Sequence, residues 1–158
     1  MPVKEADFRR TCALFATGVA VATALDRAGD PQGLTINSFT SVSLEPPLIL
    51  FCIEKAAGVY DAFMQATHYG INVLAADQAG LSERFAYLEG DRFEHVEWYA
   101  GHAGTPRLRG TLAWLAARVD ARVDAGDHTV MLGRVEEAEA GEGLPLIYFQ
   151  STYRSFPG

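Results

Sequence analysis

The segment Ala113–Glu137, AWLAARVDARVDAGDHTVMLGRVEE, sets the fold class of the chain. Ala113, Leu115, Ala117, Val119, Ala121 and Val123 share one side of a two-residue period, and Arg118, Asp120, Arg122 and Asp124 share the other. Successive side chains of a strand point to opposite faces, so the alternation predicts a strand with one buried face. Ala-Gly-Asp-His supplies turn chemistry, and Thr129–Glu137 is predicted to return as the partner strand.

Working outward, EAGEG makes a further turn, and Pro145–Phe149 supplies a last strand. Upstream, residues 87–110 carry Gly90, Gly101, Gly104, Pro106 and Gly110, which predicts an irregular covering loop. Lys4–Ala16 reads as an amphipathic helix with Phe8, Cys12 and Phe15 at helical spacing. Val19–Leu25 and Gly33–Asn37 are expected to pair as a hairpin, with Pro47–Ile53 and Tyr69–Leu74 as further strands. Val59–Ala66 predicts a brief helix, and QAGLSERFA a second one capped by Asp77, with Leu81 and Phe85 on one face. Many antiparallel strands with few short helices suggest a closed or partly open barrel, because closure removes exposed strand edges.

Composition narrows the function classes. At 158 residues, residues 1–158 read as a single domain able to bury a core without disulfides or metal. The formal charge of −7, with Lys4 and Lys55 the only lysines, argues against a nucleic-acid partner, since phosphate backbones select clustered cations. Cys12 and Cys52 form no CxxC pair, which points to a reducing, cytoplasmic setting. The N-terminus lacks a signal-peptide apolar core, and no apolar run reaches the roughly 20 residues of a membrane helix, so no membrane role is expected.

Motifs for the common chemistries are missing. There is no GxSxG elbow, no GxGxxG and no GxxxxGK[ST]. His68, His95, His102 and His128 fall at no spacing typical of metal ligands, so no metal is expected. EHVEWY reads as a solvated turn with Trp98 tucked inward. His128 begins a strand after Gly126-Asp127, where its spacing favours a turn residue bonded to its own backbone over a ring exposed at a barrel mouth. In TINSFTSVS, residues 35–43, the polar side of an apparent strand holds small hydroxyls and an amide instead of long charges. Short donors suit a flat, polar heterocycle bearing a phosphate, such as a flavin, and a Ser/Thr-rich edge strand accounts for the same pattern.

FATGVAVATA, GLTINSFTSVSLEPPLILFCI, INVLAADQAGLSERFA, DRFEHVEWYAGHAGTPRLRGTLAWLAARV, AGDHTVMLGRV and PLIYFQSTYRSF follow one another in an order and spacing that resemble the flavin reductase family. Members of that family serve as the small reductase component of two-component flavin-dependent monooxygenases. The resemblance spans nearly the whole chain. It implies a mainly β fold, an antiparallel split β-barrel of Greek-key type with a few short helices. It also implies a homodimer that binds FMN or FAD, reduces it by hydride transfer from NADH or NADPH, and passes reduced flavin to a partner monooxygenase. A flavin-binding electron carrier or sensor that keeps its cofactor is the alternative.

Carried over residue by residue, the resemblance implies flavin contacts at Thr35, Asn37, Ser38, Phe39 and Thr40 along one strand, and at Ser41, Val42 and Ser43 as it turns. Cys52 and Lys55 would lie near the ring and phosphate. Asn72, Gln78, Ser82, Arg84 and Phe85 belong to the next matching block, with Ser82 and Arg84 near phosphate. His128 would stand beside the nicotinamide and Tyr153 would close the pocket. Two features depart from the family pattern: EKAAGVY lacks the hydroxyls often found in that loop, and Ala117 replaces a frequent cysteine.

Overall fold

A computed structural model describes residues 1–157. In chain order it contains α1 (Glu5–Cys12), β1 (Thr17–Gly18), β2 (Ala20–Leu25), β3 (Pro31–Ile36), β4 (Thr40–Leu44), β5 (Pro47–Glu54), α2 (Tyr60–Gln65), β6 (His68–Val73) and α3 (Ala79–Tyr87). Then follow β7 (Trp98–Ala100), a 3-10 turn (His102–Gly104), β8 (Pro106–Leu108), β9 (Ala113–Ala125), β10 (His128–Ala140), β11 (Ile147–Phe149) and β12 (Thr152–Arg154). The protein is mainly β with few helices, as the strand periodicities predict.

Seven strands form an antiparallel sheet in the order β3-β2-β6-β9-β10-β5-β4, beside a three-stranded sheet β1-β11-β12 and the two-stranded hairpin β7-β8. The β9–β10 hairpin is its longest pairing, running from His128 opposite Ala125 to Ala140 opposite Ala113. β2 and β3 pair as expected. The backbone ladder does not close into a barrel, since β3 and β4 remain its edges.

TINSFTSVS is not one strand. β3 stops at Ile36, and after Asn37–Phe39 the chain resumes as β4 on the opposite edge of the sheet, paired with β5. The reason is a side-chain bridge: Cys52 N–H donates to Ser38 Oγ at 2.9 Å, and Ser38 Oγ lies 3.3 Å from the Cys52 carbonyl. A hydroxyl thereby stands in for a ladder bond between the β3–β4 connection and β5, and the polar alternation continues across the break by coincidence of spacing.

Both faces of β2 are buried, because two cores lie against it. One collects Ala20, Ala22, Ala24, Phe51, Phe63, Tyr69, Ile71 and Met131; the other collects Val19, Val21, Leu74, Phe85, Phe93, Leu108 and Leu146. In the first, Phe51 meets Phe63 and Tyr69 edge-on, at 5.7 and 4.9 Å between ring centroids. The Tyr69 hydroxyl donates to the Met131 carbonyl at 3.1 Å and passes over Gly133, where a Cβ would collide with it. Burial pushes the Tyr69 phenol well above its ordinary pKa, so it remains a donor.

Residues 87–110 are more ordered than their glycines suggest. The β7–β8 hairpin forms there and covers the second core, pinned by Thr23 Oγ1 donating to the Pro106 carbonyl at 2.6 Å and by Leu108 N–H donating to Asn72 Oδ1 at 2.8 Å. The same cover explains Trp114 and Ala116, which are buried although they lie on the side of β9 read as polar: near this end the strand has protein on both faces. Three further expectations are corrected. α3 begins after Gln78, whose own Oε1 accepts the Ala75 N–H at 2.8 Å, and Asp77 caps nothing. α1 ends at Cys12, so Phe15 lies beyond it, and no residue of the helix is buried. The last predicted strand starts at Ile147 and is followed by β12, which no periodicity signalled.

Two stability effects follow. Gly70→Ala places a Cβ against the Trp114 ring and Thr23 Oγ1, and should cost about 1–3 kcal/mol. Ser38→Ala strands the Cys52 N–H and should cost about 1–2 kcal/mol. Urea unfolding midpoints equal to the wild-type value would contradict either statement.

Candidate active site

Where β3 ends, the surface hollows into three adjoining clefts, and Ile36 and Asn37 line all three. The largest, about 510 Å³, has apolar walls from Phe15, Val19, Ile36 and Val73, with Thr17, Asn37, Ser38 and Thr40 on its lining as well. A second, about 350 Å³, runs from Thr35 and Ser38 past Cys52 to Glu54, Arg92 and His128. The third, about 110 Å³, lies between Thr35, Ser82, Tyr87 and Tyr153.

A chain of hydrogen bonds fixes the floor of the small cleft. Thr35 Oγ1 donates to the Ser82 carbonyl at 2.6 Å, and the Ser82 and Tyr153 hydroxyls are 2.7 Å apart. β3, α3 and β12 are thereby held together. The Asn37 carboxamide takes part in none of the hydrogen bonds found among the described residues, so its donor and acceptor face the shared cleft unspent. Asn37 is exposed, so water pairs its amide in the free protein, and it is its place on all three clefts that makes it a ligand contact to test.

His128 opens β10 after the Gly126-Asp127 turn, where Gly126 takes a φ of 64°. Its Nδ1 lies 2.7 Å from Asp127 Oδ1. The His128 imidazole holds the Asp127 carboxyl below the usual range, so the carboxylate is ionised and Nδ1 must be the donor. That fixes the ring and leaves Nε2 for the cleft.

The structure sorts the remaining candidates. Phe39 and Thr40 line the largest cleft, Cys52 and the buried Phe85 line the second, and Ser82 and Tyr153 the third. Ser41, Val42 and Ser43 lie on β4 and line none of the three clefts. Asn72 is fully buried, with Nδ2 donating to the Val21 carbonyl at 3.0 Å and Oδ1 taken by Leu108, so it holds strands together. Gln78 closes its own turn. Lys55 pairs with Asp124, which raises the pKa of its ammonium, and it too stands outside the clefts.

Arg84 is also engaged elsewhere: Nε donates to the Arg92 carbonyl and Nη2 to the Glu94 carbonyl, each at 2.6 Å. The arginine at the cleft is Arg92, which no motif singles out among the scattered arginines. Its Nη1 donates to the carbonyls of Phe85 and Gly33 at 2.7 and 3.0 Å, and burial lowers its pKa. A guanidinium so held offers a positioned cation to an anionic group. Elsewhere, His68, His102 and Glu136 come together from three parts of the chain, although the histidine spacing suggested no metal-type grouping.

An apolar wall, one amide free of protein partners and one cation in adjoining clefts fit a planar ring carrying a phosphate chain. Comparison with known proteins agrees with that chemistry. Residues 11–157 match the flavin reductase like domain family. The chain is 43% identical over 149 residues to the FMN reductase (NADH) SmoA of Agrobacterium fabrum, covering 94% of this chain and 84% of that protein. It is 37% identical over 155 residues to the reductase component of the 4-nitrophenol 4-monooxygenase/4-nitrocatechol 2-monooxygenase of Rhodococcus opacus, covering 98% and 83%. Among solved structures, the NADH:FAD oxidoreductase SgcE6 of Streptomyces globisporus C-1027, in complex with NAD and FAD fragments, superposes with a TM-score of 0.89 at 34% identity, covering 99% of this chain and 97% of that one. Some relatives are longer, and the chain spans 40% and 55% of two of them. By sequence and by fold, the chain belongs to the flavin reductase like domain family.

Proposed function

We propose that this protein is an NAD(P)H-dependent flavin reductase that reduces FMN or FAD and supplies the reduced flavin to a partner monooxygenase in the cytoplasm. The observation that carries the reading is the convergence of three clefts on Ile36 and Asn37, at the break between β3 and β4. The relatives support it, since one is a reductase component of a monooxygenase and another an FMN reductase using NADH.

A bound flavin supplies a ring that accepts a hydride from the nicotinamide, so the protein's task is to hold both rings in contact and keep water out. Ile36, Val73 and Phe15 offer an apolar wall for a ring. The Asn37 amide offers short hydrogen bonds at its polar edge, and Arg92 offers charge to a phosphate. His128 Nε2, with its ring fixed by Asp127, holds the nicotinamide amide; it is a positioning group, and no proton transfer is assigned to it.

Self-association into a homodimer belongs to the same reading. β4 is an edge strand with Leu44 91% exposed and Val42 also exposed, and Phe8, Leu14 and Phe15 lie open at the N-terminal end. Open edges and clustered apolar side chains are features that proteins ordinarily cover. Such an arrangement would bring Ser41, Val42 and Ser43 against the flavin of the assembled protein, and the frame would then be a split barrel bridged at Ser38.

The deciding measurement follows NADH and NADPH oxidation by purified protein with FMN, FAD or riboflavin added. Turnover that saturates with free flavin is expected, and no turnover with any pair overturns the proposal. Asn37→Ala should raise the flavin dissociation constant about tenfold, the loss of roughly one good hydrogen bond. An unchanged constant in fluorescence quenching removes Asn37 from the site. His128→Ala should lower kcat/KM for the nicotinamide about tenfold while flavin affinity stays within about twofold. Equal turnover by the two proteins would withdraw its role.

A further inference from the structure

A second site stands at the other end of β6. Val73, its last residue, lines the largest cleft, and His68, its first, lies about 17 Å away along the strand. There His68 Nε2 is 3.3 Å from Glu136 Oε1, and His102 Nε2 is 3.0 Å from Glu136 Oε2. The two imidazoles meet edge-on at 5.9 Å, and one donor atom from each of the three residues lies within 4.8 Å of the others. In a tetrahedral zinc site with bonds of about 2.0–2.2 Å, neighbouring donors are about 3.3–3.6 Å apart, so small rotamer shifts bring these three around one ion.

Local structure supports the grouping in two ways. β10 carries a bulge at Glu136, where the pairing with β9 skips from Val135 to Glu137. Without it, consecutive residues would point to opposite faces; with it, Glu136 and Glu137 both reach His102, the second at 3.8 Å from Nδ1. The nitrogen of each ring that faces away from the cluster also has a polar neighbour, Thr67 Oγ1 at 3.0 Å from His68 Nδ1 and Glu137 at His102 Nδ1. Outer partners of this kind fix the orientation of metal-binding histidines. The competing account is a plain ion-pair cluster, with Arg118 Nε 3.7 Å from Glu136 Oε1 as a further member.

We propose that His68, His102 and Glu136 bind one borderline divalent cation of the zinc type, with water completing its shell. Two imidazoles and one carboxylate are a donor set for such ions rather than for magnesium or calcium. The ion would clip the 3-10 turn between β7 and β8 to β6 and β10, and so fasten the hairpin that covers the second core.

The test is titration of chelator-stripped, full-length protein with zinc chloride alone, by calorimetry and by thermal melting. One equivalent bound per chain with a dissociation constant in the micromolar range or below, and a higher melting midpoint with zinc than with chelator, is the expected result. His102→Asn and Glu136→Gln should each weaken binding at least about tenfold, while His95→Asn, on an exposed turn, leaves it unchanged. Circular dichroism and the melting midpoint in chelator establish that each variant is folded, and His68→Gln replaces any that is not. Absence of one-equivalent binding, or binding that survives both variants, overturns the proposal. Neither result depends on flavin turnover.

Discussion

The Ser38 hydroxyl, bonded to the backbone of Cys52, is the constraint on which the architecture around the clefts depends. The chain must cross from one edge of a seven-stranded sheet to the other between Ile36 and Thr40. A full ladder there would close the sheet and fill the space. A side-chain bridge satisfies the polar groups at one point and leaves β3 and β5 apart on either side of it, which is where the clefts open. Asn37 and Phe39 flank that point and line the clefts instead of pairing with a strand.

Behind this opening the frame is rigid for ordinary reasons. β2 is packed on both faces, aromatic rings meet edge-on in both cores, and Asn72 and Thr23 tie the β7–β8 hairpin to the sheet through buried hydrogen bonds. Binding residues on a packed scaffold hold their geometry better than residues on free loops. Thr35, Ser82 and Tyr153, from three separate elements, are joined by hydrogen bonds for the same reason.

Much of the fold was legible because the long hairpin writes its period plainly: Leu115, Ala117 and Val119 face the first core as alternation predicts. Trp114 was not legible, since a strand covered on both faces loses the contrast that periodicity measures. The break at Asn37–Phe39 was hidden because the polar-apolar pattern runs through it. Cleft residues near in sequence, such as Thr35 to Thr40, could be found from their composition and their resemblance. Arg92 and the group of His68, His102 and Glu136 could not, because their partners are set by sheet register and by a bulge, which no local spacing encodes. Arg84 and Lys55 looked suitable by charge alone, and charge does not say which neighbour claims it first.

The passage of Tyr69 over Gly133 bears on how such sequences can drift. Any side chain at position 133 displaces the phenol hydroxyl, and removing that hydroxyl loses its hydrogen bond to the Met131 carbonyl. A Cβ at 133 would also meet the Ala117 Cβ at 2.8 Å, so positions 69, 117 and 133 form one heritable unit spread over three strands. A change at one passes through a less stable ancestor unless the others yield, so the three should covary among descendants of this fold.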